Sequence, residues 1–149
     1  PVGVKKPKTT DIELPIEMSL IEALYLKELG ILRIYRNGEE VSFNELMELA
    51  KRMIPNIENI YPTYKELREQ GFIVRSALKY GADFALYRVR PGLEHAPYLV
   101  KVLTFNEVID PGDLIGWGRI SHSVRKNLLL AITQLDGSRR YIMLKWVKP

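Results

Sequence analysis

Two glycine turns flank one helix start in the second half of this chain, and that pattern limits the folds open to it. Pro91-Gly92 lies between the β-rich runs Ala82–Val89 and Ala96–Leu103. Asp136-Gly137 lies between Asn127–Thr133 and Arg139–Lys148. Pro fixes φ and Gly accepts positive φ, so Pro-Gly turns the chain. Asp-Gly between two β-rich runs is a strong hairpin signal. Between the pairs, Asp110-Pro111-Gly112-Asp113 opens a helix, because Asp110 can cap it and Pro111 suits its first position. The helix is expected to run to about Val124 and to bury Leu114, Ile115, Trp117, Ile120 and Val124. Gly116 and Gly118 weaken it by about 1 kcal/mol each relative to Ala, which is tolerable where another backbone packs closely. The second half therefore reads as two hairpins separated by one helix.

The first half is written in helical periods. Residues 1–10, with two prolines and three lysines, read as an arm or an interrupted strand. Pro15–Gly30 has apolar residues at helical spacing, Ser19 as N-cap and Gly30 as stop. Ile31–Tyr35 is a short β-rich run ending at Arg36-Asn37-Gly38, an Asn-Gly turn. Ser42 caps Phe43–Met53 with Glu45 at capping-box spacing. A further helix spans Asn56–Gln70 and closes at Gly71, with Pro62 as a candidate for its true start. The chain is read as α+β: a small, mostly helical N-terminal domain with short strands over 1–75, then an α/β-type domain over 76–149. The latter holds about four mainly antiparallel strands and one main helix. No helix of the first half carries the Arg, Asn and Gln cluster of a DNA-recognition face, which argues for a structural or assembly role there.

Charge divides along the same line. Residues 1–75 carry 11 Lys/Arg against 12 Asp/Glu, and residues 76–149 carry 11 against 6. Both histidines, His95 and His122, also lie in the second half. A basic half suggests a polyanionic partner, RNA or DNA, although many soluble domains are mildly basic without one. With no cysteine there is no disulfide, thiol nucleophile or thiolate metal site. No apolar run approaches the roughly 18 residues of a membrane span and no signal-peptide pattern opens the chain, so a cytoplasmic location is expected.

The residues able to do chemistry lie around the Pro91-Gly92 turn. If the flanking runs pair with the turn centred near Pro91, Tyr87 and His95 fall opposite each other. Ser121-His122-Ser123-Val124-Arg125-Lys126 sits where the helix gives way to a strand. Arg125 and Lys126 there invite a phosphate, while solvated cations at a helix end explain the pair equally well. His122 reads as a helix-surface histidine. A phenol, an imidazole and an ammonium can together cleave RNA without metal. The phenol takes the 2′-hydroxyl proton, the imidazole protonates the leaving 5′-oxygen, and the ammonium neutralises the pentavalent phosphate. A free phenol titrates near about 10, so a base role needs nearby positive charge. P-loop, GxGxxG, HExxH and GxSxG patterns are absent. The six carboxylates of the second half fall mostly at turns and caps, which leaves no two-metal site and disfavours a metal-dependent nuclease.

Over residues 72–149 the segments YGADFALYRVRPGLEHAPYLVKVL and RISHSVRKNLLLAI resemble the catalytic domain of archaeal tRNA-splicing endonucleases. The family's tyrosine in Phe-x-x-Tyr matches Tyr87, its histidine ahead of Tyr-Leu-Val matches His95, and its lysine in His-Ser-Val-Arg-Lys matches Lys126. The resemblance implies a catalytic subunit that cuts precursor tRNA at bulge-helix-bulge sites. It would leave a 2′,3′-cyclic phosphate and a 5′-hydroxyl, with no metal or other cofactor. Arg119, Arg125 and Arg140 are the candidates for RNA contact. Arg119 matches a family arginine that stacks on a bulged base, as a flat guanidinium can. Two cuts per intron imply an oligomer, homo- or heteromeric, with at least two catalytic chains and room for a structural subunit. The family's acidic insertion loop would fall at Thr133–Gly137, where only Asp136 is acidic, and Tyr141–Val147 would supply an edge needing a cover. The alternative is a non-catalytic RNA-binding or structural subunit that retains the same residues.

Overall fold

The structure, a computed structural model, describes residues 18–78, 81–88, 98–123 and 127–144, the side chains of 120–123 excepted. The fold is α+β, and the chain divides into two compact units between Glu58 and Asn59.

In the first unit, α1 (Leu20–Glu28) starts where Ser19 Oγ accepts the Glu22 N–H at 3.2 Å. Gly30, at φ 75°, turns the chain out of it, a conformation that costs glycine little. The strands β1 (Tyr35–Arg36) and β2 (Glu39–Glu40) pair around the expected Asn-Gly turn, although of the run Ile31–Tyr35 only Tyr35 is strand. Asn37 and Gly38 both take positive φ, as a type I′ turn requires. In α2 (Phe43–Met53) the cap is as read from sequence, with Glu45 N–H donating to Ser42 Oγ at 3.1 Å. Ala23, Leu24, Leu32, Ile34, Leu46 and Ala50 are buried as the core of this unit.

The second unit is a five-stranded sheet between two helices. Helix α3 (Ile57–Glu69) contains Pro62 in its interior, so that proline does not start it. The strands are β3 (Ile73–Ser76), β4 (Phe84–Tyr87), β5 (Tyr98–Thr104), β6 (Asn127–Thr133) and β7 (Arg139–Leu144), in the spatial order β3-β4-β5-β6-β7. Three of the four pairings are antiparallel. The fourth, β5 with β6, is parallel, and α4 (Pro111–Ser123) is the crossover it needs. The sheet thus holds one strand beyond the four expected, because Ile73–Ser76 pairs with β4.

Successive strand residues face opposite sides of a sheet. Phe84 points to α3, where its ring lies 5.8 Å from that of Tyr64. Ala85 points the other way, into a cluster with Leu99, Leu103, Leu128 and Leu130, against which Trp117 of α4 packs. The α4 start is reciprocally capped: Asp113 N–H donates to Asp110 Oδ1 at 2.8 Å, and Asp110 N–H to Asp113 Oδ2 at 3.2 Å. Two of the residues expected to be buried by α4 are not. Leu114 is 45% exposed and Ile115 55%; among the described side chains of the helix, it is Trp117 that packs against the core cluster. Ile120 and Val124 lie outside the described side chains. Nor is Gly116 held by close packing, since a Cβ there would meet nothing within 4 Å.

Candidate active site

Tyr87 is the last residue of β4, half-buried, and it packs against the Ala85–Leu99–Leu128 cluster. Its strand is fixed at the far end by Asp83, whose N–H donates to the Val100 carbonyl at 2.8 Å and whose Oδ2 accepts the Val102 N–H at 2.7 Å. With the entry to β4 bonded twice to β5, four residues of extended chain carry Tyr87 to the other end of the sheet.

That end is common to three strands. Leu86 lies opposite Tyr98, and Tyr98 lies beside Asn127 in the parallel pairing, so the exit of β4 aligns with the entries of β5 and β6. In sequence, His95 comes three residues before Tyr98 and Lys126 one residue before Asn127. His95, Arg125 and Lys126 themselves lie outside the described residues. The strand register differs from the one assumed for the Pro91-Gly92 hairpin. Pairing Leu86 with Tyr98 and Ala85 with Leu99 shifts the ladder two residues from a Tyr87–His95 pairing, which lengthens the connection. A two-residue shift preserves which side chains share a face, whereas a one-residue shift would have exchanged them.

The arginines separate. Arg119 is exposed on α4, four residues before its end. Arg140, also exposed, pairs with Ile132 beside the β6–β7 turn, at the end of the sheet opposite Tyr87. Arg139 next to it is committed to α3. Its Nε donates to Glu66 Oε2 at 2.9 Å and its Nη2 forms an ion pair with the same oxygen at 2.8 Å, while Tyr141 Oη donates to Glu66 Oε1 at 2.8 Å. Burial first, then the bond to Glu66, pushes the Tyr141 phenol well above the ordinary range. In the β6–β7 turn, the Ser138 side chain and N–H bond Asp136 and hold its carboxyl below its usual range. Arg75, which the sequence reading passed over, stands exposed on β3 opposite Ala85. Its run of Ile-Val-Arg-Ser is too short to show a strand period.

Comparison with known proteins identifies the family. Residues 57–141 match the profile of the tRNA intron endonuclease catalytic C-terminal domain, and residues 6–47 match that family's N-terminal domain. The chain belongs to the tRNA intron endonuclease family. Membership makes it an endonuclease of tRNA splicing. The chain is 48% identical over 151 residues to a tRNA-splicing endonuclease of Hyperthermus butylicus, covering 100% of this chain and 83% of that protein. It is 47% identical over 150 residues to the tRNA-splicing endonuclease of Sulfurisphaera tokodaii and 49% to that of Sulfolobus acidocaldarius, each covering 99% of this chain and 83% of the relative. Among the endonuclease's described residues, no group of three His, Asp or Glu gathers as metal ligands, and no helix is long and apolar enough to cross a membrane.

Proposed function

We propose that this chain is a catalytic subunit that excises introns from precursor tRNA at bulge-helix-bulge sites by acid–base chemistry. Tyr87 takes the 2′-hydroxyl proton, His95 protonates the departing 5′-oxygen, and Lys126 offsets charge on the phosphate, leaving 2′,3′-cyclic phosphate and 5′-hydroxyl ends. The observation that carries the reading is the alignment of Leu86, Tyr98 and Asn127, which sends the β4 exit and the β5 and β6 entries to one end of the sheet. Family membership supports the substrate. The cleavage domain expected over 76–149 takes in the whole of β3, which pairs with β4, and the helical part before it serves assembly. Arg119 and Arg125, on the segment running from α4 to β6, and Arg140 contact RNA. Two cuts per intron call for at least two catalytic chains, with or without a structural subunit.

The test is cleavage of a bulge-helix-bulge RNA by the purified assembly, with identification of the ends. His95→Ala and Lys126→Ala are each expected to abolish cutting while RNA binding and assembly size survive. Undiminished cutting by His95→Ala defeats the assignment of roles. Absence of cutting by the unaltered protein, in any assembly where it is the sole candidate catalyst, favours a non-catalytic subunit.

A further inference from the structure

We propose that Arg75 is an RNA-positioning residue whose guanidinium holds a backbone phosphate beside Tyr87; this rests on the reading of Tyr87 as part of the cleavage site. Strand β3 is the outer one of the described strands, and its register with β4 sets Ile73 opposite Tyr87 and Arg75 opposite Ala85. Directly opposed residues share a face, so Arg75 rises on the same side as Ala85 and Tyr87. Arg75 and Tyr87 are diagonal neighbours on adjacent strands, a separation of about 7–8 Å that a long side chain spans.

The charge of Arg75 is uncommitted. The side chain is exposed, no described strand lies beyond β3 to cover it, and it makes no ion pair or side-chain hydrogen bond among the described residues. Other cations of the sheet differ. Arg139 is taken up by Glu66, and Arg88, which follows Tyr87 in sequence, turns to the opposite face, where its Nη2 approaches Tyr98 Oη at 3.5 Å. Lys101 shares the face of Arg75 but stands half-buried opposite Leu130, further from the Tyr87 end. A guanidinium presents paired N–H donors that fit two oxygens of one phosphate, so Arg75 suits the strand passing over the phenol. Such a contact fixes register and reads no base.

Binding and cutting separate the possibilities. Binding is measured across a salt series, with the full assembly and a bulge-helix-bulge RNA carrying 2′-deoxyribose at the cut sites. Cutting is measured with the all-ribose RNA. Arg75→Ala is expected to weaken Kd about tenfold, the worth of a charge-assisted contact. The slope of log Kd against log salt should become shallower by about 0.7–0.9, as for one lost phosphate contact. Arg75→Lys should restore the slope but only part of the cutting rate, and thermal midpoints should not change. Tyr87→Phe should lose cutting while keeping Kd and slope. Unchanged Kd and slope in Arg75→Ala, alongside an inactive Tyr87→Phe, overturn the role of Arg75 alone. Full cutting by Tyr87→Phe overturns the site reading and the placement of Arg75 with it. A changed assembly size in Arg75→Ala assigns the residue to a subunit contact and also overturns the proposal.

Discussion

Glu66 accepts two hydrogen bonds from one strand, from Arg139 Nε and Tyr141 Oη, and forms an ion pair with Arg139 Nη2. The Arg139 side chain is only 12% exposed, so removing its carboxylate strands a largely buried cation. Glu66→Gln should cost about 2 kcal/mol, a value reduced from that of a fully buried pair because Glu66 itself is partly open to water. Denaturant melts of the two proteins check it. The raised Tyr141 phenol adds a pH dependence with a definite sign. The folded state holds the phenol proton more tightly than the unfolded chain. The associated stability is therefore fully present below about pH 10, the free phenol's value, and is lost as pH rises above it. Melts from pH 8 upward should show this alkaline loss, and Tyr141→Phe should flatten it.

At the scale of elements, α4 decides most. Its start rests on two side-chain bonds between Asp110 and Asp113, and Asp110→Ala should lower stability by about 1 kcal/mol. Gly116 lies within the helix with open space where a Cβ would stand, so Gly116→Ala should raise stability by up to about 1 kcal/mol. Thermal unfolding of both variants tests the pair of signs. What could be read of these elements in sequence was what short-range chemistry decides: Ser19, Ser42 and Asp110 as caps, Asn37-Gly38 and Asp136-Gly137 as turns. Gly137 indeed takes φ 86° and donates its N–H to the Gln134 carbonyl at 3.0 Å, closing the β6–β7 hairpin. The exposure of Leu114 and Ile115 was not legible, because helical spacing gives a face but not the width of what it meets. Nor was β3, whose four residues are too few for a period to declare itself.

Across the whole molecule, the parallel β5–β6 pairing escaped a reading built on hairpins, since it depends on contact across an intervening helix rather than on any turn. The same pairing gives meaning to residues far apart in sequence. Tyr87 could be singled out beforehand as one of a triad, but its place beside the entries of β5 and β6 needed the strand order. The order also placed Arg140 at the opposite end from Tyr87 and brought Arg75 to the face of Tyr87, where sequence distance suggested neither.

The central position of β5 has a consequence for how the protein opens. It is the third of five strands, hydrogen-bonded on both sides, with Leu99, Val100, Val102 and Leu103 almost wholly buried. Its amides should therefore be among the slowest in the chain to exchange with deuterated solvent, while β3 and β7 lose their protons earlier by local fraying. In sequence, His95 precedes that strand by three residues. The proposed acid would thus be anchored, within three residues, to the part of the sheet that opens only on global unfolding.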